Sequence, residues 1–167
     1  MTDIPLEEVA EEFIVFREAF KTVLLSTATI TAVPELSYAP YVRDQDGSYY
    51  IYISALAAHT GNIQNNPQVA LLFIENETNT KNLFARRRLS YQCEATHVER
   101  GTEQWETVLD KFSNEFGNIM SVLRGLMDFS LYRLDPRQGT YVRGFSQAYQ
   151  LTGDNMNELQ HINPSRG

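Results

Sequence analysis

Short strand-like segments recur along this chain without the regular strand–helix–strand rhythm of a parallel sheet. The stretch "KTVLLSTATI" (21–30) is rich in β-branched residues and reads as a strand. "ELSYAPYVR" (35–43), the turn "DQDGS" and "YYIYIS" (49–54) read as a hairpin. "QVALLFIE" (68–75) and "FARRRLSYQCEATHVER" (84–100) follow as strands, the second alternating over its centre. "DFSLYRLDP" (128–136) and "GTYVRGFSQAY" (139–149) complete a set of about seven, with a proline-containing turn expected between them. Such a set predicts an antiparallel barrel with peripheral helices, mainly β, and excludes a doubly wound sheet.

Helical signals lie between and before these strands. Leu6, Val9, Phe13, Phe16 and Phe20 recur every three or four residues and predict an amphipathic helix over 6–20. A short helix is expected across 55–65, ending near Pro67. "TEQWETVLDKFSNEFG" (102–117) has Thr102 placed to cap a helix with Trp105, Leu109, Phe112 and Phe116 on one face. The chain of 167 residues is read as a single domain, 1–167, with an N-terminal helix in 1–20 and a tail in 150–167. That tail has little apolar periodicity, so it is expected to be mobile or docked on a partner.

Charge narrows the function. A net charge of −7 opposes non-specific nucleic-acid binding, which requires basic surface to displace counterions. No apolar run is long enough for a membrane span, and the acidic start "MTDIPLEEVAEEF" is unlike a signal peptide. The one cysteine, Cys93, cannot form an internal disulfide and suits a reducing, cytoplasmic setting. On an alternating strand it reads as a small core residue.

Chemistry is concentrated in a few places. Arg86, Arg87 and Arg88 form the densest positive cluster of an acidic chain; on a strand, Arg86 and Arg88 would share a face. They are either a solvated strand end or a clamp for phosphate or carboxylate. Ser26, Thr27, Ser37, Ser54 and Thr60 are hydroxyls at strand ends or helix starts, where an anion could be held. His59, in "SALAAHTGNIQNNPQ" (54–68), is either a packed histidine bonded to a neighbour or a polar residue facing a ligand. Asp128 is the acidic partner best placed by sequence to orient its imidazole. His97 reads as structural, and no pair of histidines has the spacing of a zinc site.

In order, "LLSTAT", "PELSYAPYVRDQDGSYYIYISALAAHTGNIQNNPQVALLFIENE", "LFARRRLSYQCEA", "DFSLYRLDP" and "GFSQAY" resemble the haem-utilisation (HugZ/HutZ-type) branch of the pyridoxamine 5'-phosphate-oxidase-like proteins. The resemblance runs from about residue 14 to 161. It implies an FMN-binding split barrel with six antiparallel strands, assembled as a homodimer with two ligand sites along the interface. For the flavin-binding relatives it implies FMN phosphate held by Ser26, Thr27, Ser54, Thr60, Asn62, Arg86 and Arg88. For the haem-degrading members it implies a histidine–aspartate pair, matching His59 and Asp128.

The tail departs from the haem-degrading pattern. Where those relatives carry an axial histidine, this sequence has Arg166, which has no lone pair for iron. Any tail ligand would therefore be His161. The leading expectation is a dimeric FMN-binding oxidoreductase. The alternatives are a protein that binds and degrades haem, and a non-catalytic carrier of the cofactor.

Overall fold

A computed structural model describes residues 4–162. Its strands are β1 (Thr22–Ala28), β2 (Pro34–Arg43), β3 (Tyr49–Ser54), β4 (Gln68–Ile74), β5 (Arg88–Val98), β6 (Phe129–Gly144), β7 (Gln147–Thr152) and β8 (Glu158–His161). Its helices are α1 (Leu6–Arg17), α2 (Ala58–Asn65), α3 (Glu103–Phe116) and α4 (Ile119–Leu123). Every strand pairing is antiparallel, and pairing of β3 with β6 closes β1, β2, β3, β6, β5 and β4 into a six-stranded barrel. The long β6 runs past the barrel and carries β7 and β8 as an extension.

Alternation determines what each face meets. Val23, Leu25, Leu71, Phe73, Leu89 and Tyr91 point inward and are buried, joined by Tyr41, Tyr49 and Tyr141. The run "YYIYI" of β3 is buried on both faces, which is why it does not alternate. Its Tyr50 and Tyr52 pack outside the barrel against Trp105, Leu109 and Phe112 of α3 in a second core. Thr102 caps α3 as expected, its hydroxyl accepting a hydrogen bond from the Trp105 amide at 3.3 Å.

The two remaining long helices close opposite ends of the barrel. α1 inserts Phe13 and Phe16 beside Tyr141, at 5.4 and 5.7 Å between ring centroids. α2 lies at the other end, with Ile63 in the main core and Asn62 bonded to Thr27 of β1.

Three local expectations are corrected. Phe129–Gly144 form one strand with no turn at Pro136. The β5–β6 register shifts there, so Cys93 pairs with Pro136 and Gln92 with Gln138. The proline thus sits at a bulge, where its missing N–H costs no ladder bond. The actual turn is at Phe145–Ser146, where Ser146 adopts a positive φ of 56°. The tail is also not loose through residue 162, because β8 pairs with β7 and Leu159 enters the core. Finally, Arg86 and Arg87 precede β5: Leu83–Ala85 is a 3₁₀ turn, and only Arg88 begins the strand.

Candidate functional site

The turn from β3 into α2 is fixed by local polar bonds. Ser54 Oγ donates to Asp128 Oδ2 at 2.8 Å and accepts from the Leu56 amide at 3.1 Å. Thr60 Oγ1 donates to the Ser54 carbonyl at 2.6 Å. Further along α2, Asn62 Nδ2 donates to Thr27 Oγ1 and to Glu35 Oε2, each at 3.1 Å. Thr27, Thr60 and Asn62 are all buried. Buried polar groups need partners, and these three find them among themselves and their neighbours.

His59 is 9% exposed, and its Nδ1 lies 2.9 Å from Ser37 Oγ. Burial holds its pKa below the ordinary imidazole range, opposed by the smaller attraction of the Glu35 carboxylate. A neutral ring follows at neutral pH. Within one chain His59 and Asp128 do not meet, since His59 turns to Ser37 and Asp128 to Ser54. Glu35 is the group the sequence reading missed. It was legible as the residue two before Ser37 on an alternating strand, hence on the same face.

The arginines lie towards the other end. Ser26 pairs with Ala70 and Arg88 with Ile74, four residues apart along β4, which is about 13 Å at the rise of a strand. Ser26 and Arg88 share the outward face of the sheet, whereas Thr27 points inward. Arg86 Nε donates to the Glu75 carbonyl at 2.6 Å and its Nη1 to Glu77 at 3.1 Å. Arg87 pairs with Glu75 at 3.1 Å. Arg88 donates to the Arg86 carbonyl at 3.0 Å and forms no ion pair among the described residues. The expected Arg86–Arg88 clamp therefore reduces to Arg88 as the cation without an acidic partner.

The outward face between these ends is apolar and open. Leu24, Leu36 and Tyr38 are 45%, 81% and 65% exposed, and Leu24 pairs directly with Tyr38 and with Leu72. α3 covers the outside of β3 and β6, but the described helices leave this face bare.

His161 lies on β8 opposite Tyr149, which lies opposite Tyr141, which lies opposite Leu89. Directly paired residues share a face. His161 is therefore on the sheet face that carries Leu89, and Arg88 is on the other. Its Nε2 lies 2.9 Å from the Ser146 carbonyl, and its ring is 5.2 Å from Tyr149. Arg166 lies outside the described residues.

A family model described as pyridoxamine 5'-phosphate oxidase matches residues 7–143. The chain belongs to that family. Haem oxygenase HutZ of Vibrio cholerae is 44% identical over 147 residues, which is 88% of this chain and 83% of HutZ. A crystal structure of HutZ, there described as a haem-storage protein, superposes with a TM-score of 0.76 at 42% identity, covering 84% of this chain and 96% of that one. Campylobacter jejuni ChuZ superposes at 0.83 with 32% identity, over 99% of this chain and 68% of its own. The haem-utilisation branch anticipated from the segments is thus where this chain's similarities fall. Among the described residues no helix is long and apolar enough to cross a membrane, and no cluster of metal-ligating side chains is present.

Proposed function

We propose that this protein binds haem at the outward face of β1, β2, β4 and β5 and supports its oxidative degradation. The observation that carries the reading is the union, on one face, of an open apolar stripe with an arginine lacking an acidic partner. Leu24, Leu36 and Tyr38 would take the apolar macrocycle, and Arg88 would pair with a propionate. The names borne by HutZ, as a haem oxygenase and as a haem-storage protein, support the same choice.

The donor set expected for FMN phosphate fits poorly. Thr27, Thr60 and Asn62 are buried and already bonded, and the Glu35 carboxylate stands among them. A phosphate there would displace those bonds and meet a like charge. The flavin reading retains the family match over residues 7–143, so FMN is the comparison ligand in any binding test.

A homodimer completes the proposed site. In one chain the His59 end and the Arg88 end are separated along the sheet, and a two-fold axis through the bare face sets each against the other end of its partner. Covering this face would bury apolar surface of the size specific interfaces require, above about 1,000 Å². The neutral His59, held by Ser37 on the inward face, and Asp128 both lie about the α2 turn, at the end of this face rather than on it. Haem, when bound, supplies the iron at which oxygen chemistry occurs. His161 does not fit as the axial donor of the same chain, since it lies on the opposite sheet face from Arg88 and is engaged by Ser146.

Absorbance titration of the purified protein with haem and with FMN tests the reading. A saturable Soret band that weakens in Arg88→Gln supports it. Tight FMN binding without saturable haem binding overturns it.

A further inference from the structure

The connection between β4 and β5 runs from Glu75 to Arg87 with two 3₁₀ turns and no strand. Ordered connections of this length usually serve a purpose beyond joining strands. Here the loop borders an open cleft of about 610 Å³ between itself, α1 and the end of β6. That volume is within the range of small-molecule sites. Arg87 points to the α1 side, with its guanidinium 4.8 Å from the Phe16 ring, so the cavity is distinct from the face that carries Arg88.

The charges in its wall do not cancel. Glu12 is held by Arg143 through two bonds, at 2.5 and 2.8 Å. Glu75 accepts from Arg87 through one oxygen and from Thr80 through the other, at 3.1 and 3.2 Å. Both carboxylates are thereby occupied. Lys81 forms no ion pair among the described residues, and the Arg87 guanidinium, whose buried Nε makes no well-aligned hydrogen bond, also lies against the Tyr141 hydroxyl. The lining thus holds three cations against two carboxylates, in a chain of net charge −7.

We infer that this cavity binds a small organic anion bearing one carboxylate or phosphate monoester, held by Arg87 and Lys81. Packing on Phe16 and pairing with Glu75 fix the Arg87 fork in advance, so little side-chain freedom is lost on binding. The remaining space takes the organic part of the ligand, with Asn79 and Asn82 at its rim.

Calorimetric titration of the full chain with acetate, inorganic phosphate and adenosine 5'-monophosphate tests this, with and without saturating haem. The expected result is saturable binding of at least one probe, unaffected by haem and weakened about tenfold or more in Lys81→Ala and Arg87→Gln. Lys81 is exposed, so its variant leaves the fold intact even if Arg87→Gln does not. Among the probes, tighter acetate than phosphate binding assigns a carboxylate, and the reverse a phosphate. The inference is overturned if no probe saturates, if Lys81→Ala binds as wild type does, or if haem displaces the probe.

Discussion

Asn62→Ala removes the residue that joins β1, β2 and α2, and its cost can be worked from two bonds. The first, to Thr27 Oγ1 at 3.1 Å, is neutral and buried, and such bonds contribute about 1 kcal/mol. The second, to Glu35 Oε2 at 3.1 Å, is charge-assisted and would contribute about 1.5–3 kcal/mol if fully buried. Glu35 is half-buried, so solvent screening brings that towards the low end. The sum is about 2–3 kcal/mol, or a Tm lowered by roughly 5–10 °C for a chain of this length. Urea unfolding at fixed protein concentration should show a lower midpoint with an unchanged slope. Asn65→Ala on the same helix removes only an exposed bond to the Gly61 carbonyl and should stay within about 0.5 kcal/mol. A loss below about 1 kcal/mol for Asn62→Ala, at unchanged slope, would refute the view that this network anchors α2.

Three further outcomes are expected. Burial lowers the His59 pKa in the folded state, so the unfolded chain binds its proton more readily and stability should fall as pH drops below the ordinary imidazole range; urea midpoints at pH 7.5 and 5.5 should differ less in His59→Gln than in wild type. Burial pushes the Cys93 thiol up to about 12, so a disulfide thiol reagent at pH 8 should label it only on unfolding, and rapid labelling of native protein would contradict its inward placement. Tyr38→Lys puts a charge on the bare sheet face, 65% exposed in one chain, and should shift sedimentation from dimer towards monomer without lowering helix content.

Much of this architecture was legible in the sequence because alternation reports burial directly. β1, β4 and the centre of β5 each show one inward and one outward set, and "YYIYI" broke the pattern because α3 covers its outer side. What local reading missed was long-range. Pro136 signals a turn locally, because nothing near it reveals the bulge opposite Cys93. The tail's sequence predicts a mobile or partner-docked segment because β8 has only four residues and one buried side chain, and pairing with β7 is what orders it. The hydroxyls and arginines stand out by residue type, but local sequence does not show that Asn62 is committed to Glu35 or that Arg86 is committed to Glu75 and Glu77. Nor does it show that His161 and Arg88 fall on opposite faces, which follows only from the register across β5, β6, β7 and β8.

Haem binding on the face marked by Leu24, Tyr38 and Arg88 underlies the proposed function. Its most direct measurement is a Soret titration of wild type, Arg88→Gln and His161→Ala, with FMN titrated in parallel. Saturable haem binding is expected of wild type and of His161→Ala, with affinity reduced about tenfold or more in Arg88→Gln. Haem affinity unchanged in Arg88→Gln would contradict it.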